Sequence, residues 1–189
     1  MSLAPPLNQL DTDLSPAQQR DLQQGEVLLI GSEGDYTVLS LVQATPDTVW
    51  SVLTNYEQFP EFLPSVVASR VLERRDNRVL VERKDRRKIG FMPIRVKIVT
   101  ENIENSRDRV IDYRMVDGTL DEMTGTWELT SVPSDDGAEQ TLLAQKITAR
   151  ASMGPLQPYF YDVFESGLKE MTTDLRAEMQ RQQGAQQPV

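Results

Sequence analysis

The chain has 189 residues, with 20 Lys and Arg against 29 Asp and Glu, no His and no Cys, so its formal charge is −9. The absence of His excludes a Ser-His-Asp triad, His-ligated zinc and an imidazole proton shuttle; the absence of Cys excludes disulfides, Cys-ligated metal sites and a thiol nucleophile. Acid–base chemistry would depend on Asp, Glu, Lys or Tyr, and the acidic balance disfavours nucleic acid as a partner.

The length of the chain suits one folded domain with terminal extensions. Residues 1–24 are polar and predict an N-terminal arm with one short helix from Ser15-Pro16, because serine caps helices and proline fits the first helical position. Residues 25–182 form the single predicted domain, and residues 183–189 predict a disordered tail. The sequence shows no signal-peptide pattern and no apolar run near the ~20 residues of a membrane helix. We therefore expect a cytoplasmic location, with peripheral contact to a membrane left open.

The predicted domain begins with a hairpin. Residues 27–30 and 36–42 have the composition of strands, and the glycines and aspartate of residues 31–35 favour a turn between them. A helix follows, because Thr45 can cap it, Pro46 suits its first position, and apolar residues then recur at helical spacing. Two prolines restrict the next segment to short helical turns.

From Val66 to Arg150, apolar and polar residues alternate with the period of two that is typical of strands. The predicted strands cover residues 66–72, 79–89, 94–103, 110–116, 123–132 and 141–149. Short turns connect them, so the sheet should be antiparallel. After Gly154-Pro155 the apolar positions step by three or four, which predicts a helix of roughly 42 Å that ends at Gln182. The elements together predict an α+β fold in which a curved sheet surrounds one long helix.

Two segments carry a family resemblance. Residues 44–64 read ATPDTVWSVLTNYEQFPEFLP and are similar to the pattern A-P-x-x-V-W-x-V-L-x-D-Y-x-x-F-P-x-F, from which Thr45 and Asn55 depart. The segment Gly125-Thr126-Trp127-Glu128-Leu129 resembles a later G-x-W-x-L strand. Both patterns belong to the START and Bet v 1-like (SRPBCC) superfamily, with its polyketide cyclase/dehydrase and coenzyme Q-binding-like branch nearest. Over residues 25–180 the resemblance implies a helix-grip fold: a curved antiparallel sheet wrapped around a long C-terminal helix, with two small helices after the first strand or hairpin.

This resemblance also implies an apolar ligand cavity between the sheet and the C-terminal helix. Alternation alone favours an ordinary packed core, and the resemblance reverses that preference. The candidate lining residues lie on the inward strand faces, on the short helical turns and on the apolar stripe of the long helix. They are Phe59, Phe62, Ile94, Val96, Ile98, Ile111, Tyr113, Met115, Met123, Trp127, Met153, Phe160, Phe164, Gly167, Leu168 and Met171. We expect Gly167 to leave space beside the stripe and the methionines to form an adaptable wall.

One strongly basic run, residues 83–88, stands out in the acidic chain. In a strand, alternation places Arg83 and Arg87 on one face and the remaining cations on the other, without deciding which face points inward. If the first face points inward, Arg83 and Arg87 are candidate contacts for a ligand carboxylate or phosphate. The run could instead meet an anionic membrane or an acidic protein, together with the Phe91-Met92-Pro93 tip, or lie in solvent as an ordinary charged strand.

Catalytic residues are not indicated by the sequence. No pair of carboxylates has a placement that suits acid–base work, and the acidic pairs do not continue as calcium loops, so no cofactor or metal is expected. We therefore predict binding or transport of a hydrophobic small molecule: a lipid, an isoprenoid quinone or a polycyclic compound. An enzyme of the aromatase/cyclase or dehydratase type is one alternative, and a protein- or ribosome-interaction module is another.

Overall fold

A computed structural model describes residues 14–89, 92–133 and 139–186. Within these ranges the chain forms eight strands and four helices. They are α1 (Pro16–Gln23), β1 (Leu28–Ser32), β2 (Asp35–Val42), α2 (Pro46–Thr54), α3 (Phe59–Phe62), β3 (Val66–Arg75), β4 (Arg78–Ile89), β5 (Met92–Asn105), β6 (Val110–Gly118), β7 (Glu122–Pro133), β8 (Glu139–Arg150) and α4 (Gln157–Gln186). Single 3₁₀ turns precede α3 and α4.

The strands form one antiparallel sheet in the order β1-β2-β8-β7-β6-β5-β4-β3. Among these described strands, only the contact between β2 and β8 joins two that are not consecutive, and it brings the first hairpin beside the last strand. The sheet is curved and does not close, and α4 lies in its concavity. This is the helix-grip arrangement that the sequence resemblance predicts, so the predicted fold is confirmed.

Local sequence signals explain several of these elements. Glu33 and Gly34 both adopt positive φ, as a two-residue turn of type I′ requires between twisted strands. At α2, the Thr45 hydroxyl accepts a hydrogen bond from the Thr48 amide at 3.2 Å, and Pro46 occupies the first turn. The cap and the proline therefore start α2 where the sequence predicts.

Both ends of the described chain are more ordered than the sequence suggests. The predicted N-terminal helix forms as α1, but its Leu22 is fully buried against the outer face of the sheet, beside Leu39 and Leu142. The described part of the N-terminal arm is thus packed onto the domain, because α1 covers leucines that point away from α4.

The long helix continues to Gln186, so residues 183–186 of the predicted disordered tail are helical. The reason is a polar contact with α2. The Gln183 side-chain oxygen accepts hydrogen bonds from the Thr45 amide at 3.0 Å and from the Thr48 hydroxyl at 2.8 Å. Residues 187–189 lie outside the described part of the chain.

Two apolar clusters lie between α4 and the sheet. Under the C-terminal half of α4, Leu175 and Met179 pack against α2 and the adjoining strands. Under the N-terminal half, Leu168 packs against Tyr113 and other residues of the concave sheet face, without a second helix. The candidate site occupies this second region.

Candidate ligand-binding cavity

A cavity of about 160 Å³ lies between the N-terminal half of α4 and the inner faces of β4 to β8, with α3 at one end. Its wall is mostly apolar, as expected for a pocket that accepts a hydrophobic molecule. Most of the sequence-predicted residues lie on this wall. They are Phe59, Ile94, Val96, Ile98, Ile111, Tyr113, Met123, Trp127, Phe160, Phe164, Gly167, Leu168 and Met171, together with Arg83 and Arg87.

Three predicted lining residues, Phe62, Met115 and Met153, are not on the cavity wall. Phe62 packs edge-on against Phe59, with ring centroids 5.9 Å apart, and so lies behind the wall. Met115 lies where a bulge interrupts the pairing of β5 with β6, and regular alternation ends there. Met153 precedes the 3₁₀ turn before α4 instead of joining the sheet or the helix.

The wall also contains residues that the sequence analysis did not select. They are Leu53, Tyr56, Leu63, Val81, Asp85, Thr100, Asn102, Leu120, Gln145, Ile147, Val163 and Leu175. Val163 and Leu175 belong to the same helical stripe as the predicted residues, so assigning the whole stripe to the cavity would have included them. Asp85 shares the strand face of Arg83 and would have followed from the same alternation. Gln145 gives no such signal, because apolar residues lie on both faces of β8 and alternation therefore does not show which face lines the cavity.

The inner face of β4 supplies the charged groups of the cavity. Arg83, Asp85 and Arg87 point inward and line the wall, whereas Lys84 and Arg86 are exposed on the outside. The orientation that alternation left undecided is therefore the one that brings two arginines and one aspartate to the cavity. These three residues together carry a formal charge of +1, in a chain whose total charge is negative.

Arg83 is paired within the wall. Its Nη2 donates a hydrogen bond to Asp85 Oδ2 at 3.0 Å. Its Nε lies 2.9 Å from Asp85 Oδ1, but the N–H does not point at that oxygen, and neither atom has a hydrogen bond among the described residues. Arg83 Nη1 also lies 3.8 Å from the sulfur of Met171 on α4. Because Asp85 is almost completely buried, it neutralises Arg83 and holds the guanidinium in place.

Arg87 is held more loosely. Its guanidinium lies against Gly167 of α4, where an added Cβ would come within 3.1 Å of Arg87 Cζ. Its ion-pair partner is Glu170, at 3.6 Å, and the Glu170 side chain is 70% exposed. A pair at that distance with one partner in solvent contributes little stability. Arg87 is therefore the cavity cation that is most free to bind an incoming anion.

A hydrogen-bonded pair, Tyr113 and Gln145, lies across the sheet. Tyr113 on β6 and Gln145 on β8 are separated by β7, and the amide nitrogen of Gln145 donates to the tyrosine oxygen at 2.7 Å. Gly125 of β7 makes this contact possible, because a Cβ there would clash with the tyrosine hydroxyl and ring. The absence of a side chain lets the Tyr113 ring lie flat over β7.

This pair leaves hydrogen-bonding capacity unused inside the cavity. Gln145 is 2% exposed, and its Oε1 has no hydrogen-bond partner among the described residues. If the amide is turned over, the hydroxyl donates to the oxygen and the NH₂ group is left without a partner instead. In either orientation one buried amide group faces the cavity unpaired. By contrast, Asn102 donates to the Val79 carbonyl at 3.2 Å and to the Thr100 hydroxyl at 3.0 Å.

Burial raises the pKa of the Tyr113 hydroxyl, and the hydrogen bond from Gln145 and the charge of Arg83 offset only part of this effect. The hydroxyl is therefore neutral at ordinary pH and can serve as a hydrogen-bond donor. Among the described residues, no group of three or more acidic side chains is placed to hold a metal ion. Within the same residues, no helix has both the length and the apolar character required to cross a bilayer.

The N-terminal half of α4 is tied to the sheet on its other side by Tyr36 of β2. The Tyr36 hydroxyl donates a hydrogen bond to Glu165 Oε1 at 2.7 Å, and the ring lies 6.0 Å from that of Phe164. Burial, followed by the hydrogen bond to Glu165, raises the pKa of Tyr36 to about 12. Polar contacts from β2 and β4 thus hold α4 over the cavity.

Known proteins give a consistent comparison with this geometry. A family model described as polyketide cyclase/dehydrase and lipid transport matches residues 42–176. TTHA0849 from Thermus thermophilus aligns with a TM-score of 0.66 at 15% identity, over 77% of this chain and 97% of that one. The ZhuI aromatase/cyclase from Streptomyces sp. R1128 aligns with a TM-score of 0.62 at 16% identity, over 83% and 96%. A START superfamily protein from Mycobacterium smegmatis aligns at 0.58 and 12% identity, over 77% and 97%. No curated protein sequence matches significantly.

Proposed function

Because the chain belongs to the polyketide cyclase/dehydrase and lipid transport family, we propose that it binds and carries a hydrophobic small molecule in the cavity beneath α4. The observation that carries this proposal is the unpaired buried amide of Gln145 on a mostly apolar wall. An unsatisfied polar group in such a place costs about 1–3 kcal/mol of stability. A ligand that supplies the missing hydrogen bond would recover that free energy.

The size of the cavity limits what can bind without movement. A volume of about 160 Å³ is close to that of an engineered cavity that holds benzene, whereas pockets for drug-sized molecules begin at roughly 300 Å³. A lipid, a quinone or a polycyclic compound therefore requires the N-terminal half of α4 to move outward. Val163 and Phe164 are only half-buried, and the polar contacts at Tyr36 and Arg87 can be exchanged for contacts with water.

The polar groups suggest how such a ligand is oriented. The Tyr113–Gln145 pair can bind a hydroxyl or carbonyl group between the apolar walls. Arg87, with its weak pairing to Glu170, can bind a carboxylate, a phosphate or a polarised oxygen. We infer an amphipathic ligand with an apolar ring or chain and at least one oxygen-bearing group.

The proposal is tested by native mass spectrometry and lipid extraction of protein purified from its own host, followed by thermal shift with oleate, a short-chain ubiquinone and an anthraquinone. We expect a co-purifying lipophile or a clear rise in Tm with at least one compound. Val96→Phe should weaken binding at least about tenfold. Val96 is half-buried on the cavity wall, and the larger phenylalanine side chain would occupy space that the ligand needs. Val67→Phe is the matched control, since Val67 is 52% exposed outside the cavity. The carrier proposal fails if no lipophile co-purifies and no compound raises Tm.

A second candidate is an enzyme of the cyclase or dehydratase type. It is favoured by the neutral Tyr113 hydroxyl in an apolar cavity, with the Arg83–Asp85 pair on the same wall, because a donor in such surroundings can polarise a carbonyl group. Incubation with a poly-β-ketone thioester surrogate separates the two functions. An enzyme gives catalytic turnover that Tyr113→Phe removes, whereas a carrier protects the compound without converting it.

A further inference from the structure

The outer face of the β4–β5 hairpin carries an exposed cationic surface. We name it the cationic tip and define it by Arg86 and Lys88 on β4 and Arg95 on β5, together with Met92 at the end of the hairpin, which pairs with Ile89 and so faces the other side of the sheet. All four side chains are exposed, and Met92 is 58% exposed. No described acidic side chain lies within ion-pair distance of the three cations. Phe91, which the sequence also assigns to this tip, lies outside the described residues. The cationic tip is thus a local exception in a chain of net charge −9.

The register of β4 and β5 places like charges directly opposite each other. In the isolated protein this arrangement is electrostatically unfavourable. Arg86 lies directly opposite Arg95, and Lys84 lies directly opposite Lys97. Like charges in such cross-strand positions repel and destabilise a sheet. Farther from the tip the repulsion is compensated, because Lys97 Nζ lies 3.0 Å from Asp117 and Lys84 Nζ lies 3.9 Å from Glu82. At the tip there is no such compensation among the described residues.

Folding alone does not account for this arrangement, since polar uncharged side chains would solvate the hairpin equally well. A binding partner with negative charge does account for it. The inner face of the same hairpin lines the cavity through Arg87 and Ile94, so a partner on the outer face lies next to the cavity. We propose that the cationic tip docks the protein on an anionic phospholipid bilayer.

A bilayer fits these residues better than another polyanion. Exposed Met92 at the end of the same hairpin gives an apolar contact that can enter the headgroup region, while the nearby cations are attracted to an anionic surface. The net charge of −9 opposes extended contact with nucleic acid, which would bring the acidic remainder of the chain close to phosphates. A bilayer needs to contact only the tip. Its repulsion of acidic groups elsewhere on the chain is screened beyond roughly 10 Å at moderate salt.

The test is co-sedimentation of the full chain with vesicles of phosphatidylcholine alone and of phosphatidylcholine mixed with phosphatidylglycerol, at low and at high salt. We expect binding to the anionic vesicles only, with loss at high salt. The triple variant R86Q/K88Q/R95Q should lower the partition coefficient about 100-fold. Met92→Ser, with the cations intact, should lower it roughly threefold through the lost apolar contact.

The matched control is R20Q/R75Q/R107Q, which makes the same change in net charge at exposed sites outside the cationic tip. It should retain vesicle binding within about threefold, because Arg75 and Arg107 lie toward the opposite end of the β4–β5 hairpin and Arg20 lies on α1. Tm of the tip variant should be unchanged or slightly higher, since a like-charge pair is removed. An equal loss in both triple variants, or equal binding to neutral vesicles, overturns the proposal.

Two further outcomes are separated by the same design. Binding to heparin or RNA, with none to anionic vesicles, overturns the bilayer in favour of another polyanion. The cavity variant Val96→Phe should bind vesicles as the wild type does, because Val96 lines the inner face of the hairpin. The docking proposal therefore stands or fails independently of the carrier proposal.

Discussion

The two halves of α4 cover the same sheet in different ways. At its core end, Leu175 and Met179 are fully buried against α2 and its neighbouring strands. At its cavity end, Val163 and Phe164 are half-buried over an apolar space of about 160 Å³. The core end packs directly against a second helix, α2, whereas the cavity end faces the concave sheet across the cavity.

The two ends of α4 therefore have different roles: the core end anchors the helix, and the cavity end can adjust its position. Close packing holds the core end, where the side chains leave no exposed surface. Besides the apolar packing of Leu168, the cavity end is held by polar contacts, from Tyr36 to Glu165 and from Arg87 to Glu170. Such contacts exchange with water at small net cost, so the cavity end can open while the core end stays in place.

The largest contrast is expected from truncating one apolar side chain at each end. Met179→Ala should lower the free energy of unfolding by about 3 kcal/mol, because it leaves a void in a fully buried position. Val163→Ala should lower it by less than about 1 kcal/mol, since Val163 is half-buried and already faces an open space. Urea unfolding of both variants measures the contrast. Equal losses would show that both ends contribute alike and that the cavity wall is rigid.

A smaller effect is expected from the polar pair at the cavity end. Tyr113→Phe should cost about 2 kcal/mol, because it removes the hydrogen bond of Gln145 and leaves the whole buried amide unpaired. The double variant Tyr113→Phe with Gln145→Leu should recover most of that loss, since both polar partners are gone. Urea unfolding of the single and double variants tests this order. If the double variant is less stable than Tyr113→Phe, the amide does not carry the cost.

The sequence predicts the fold well because its signals are local. The Thr45-Pro46 cap begins α2, and alternation in β4 assigns Arg83 and Arg87 to one common face. The helical stripe assigns residues of both ends to the buried face of α4, but it does not distinguish a packed end from an open one. That distinction depends on α2, which backs the helix at only one end.

The polar pair could not be predicted for a different reason. Alternation predicts which face of the sheet a residue occupies. Predicting that Tyr113 contacts Gln145 across β7 also requires the register of β6, β7 and β8. The significance of Gly125 appears only once the Tyr113 ring is seen to lie over it. Similarly, Gln183 reads as part of a polar tail until α2 is placed beside it.

The tether between Tyr36 and Glu165 predicts a dependence on alkaline pH. The pKa of Tyr36 is raised from 10.0 to about 12 by burial and by Glu165. Because the folded state holds the proton more tightly, the contribution is complete below pH 10 and is lost as the pH rises to about 12. Tyr36→Phe should cost about 1 kcal/mol at neutral pH, and the difference from wild type should shrink above pH 10. Urea unfolding across this range measures it; a constant difference would contradict a titrating tether.

The smallest expected effect concerns Gly167, which lies in the cavity end of α4. Gly167→Ala gains up to about 1 kcal/mol of helix propensity. Its new Cβ would lie 3.1 Å from Arg87 Cζ, but that is the far end of a flexible side chain, which can shift by a few tenths of an ångström. We therefore expect a net gain of about 0.5 kcal/mol in urea unfolding. Displacing Arg87 weakens its contact with Glu170 and moves the cavity cation, so binding of an anionic ligand such as oleate should fall a few-fold while binding of a neutral quinone changes less. Equal effects on both ligands would mean that Arg87 supports the wall without recognising charge.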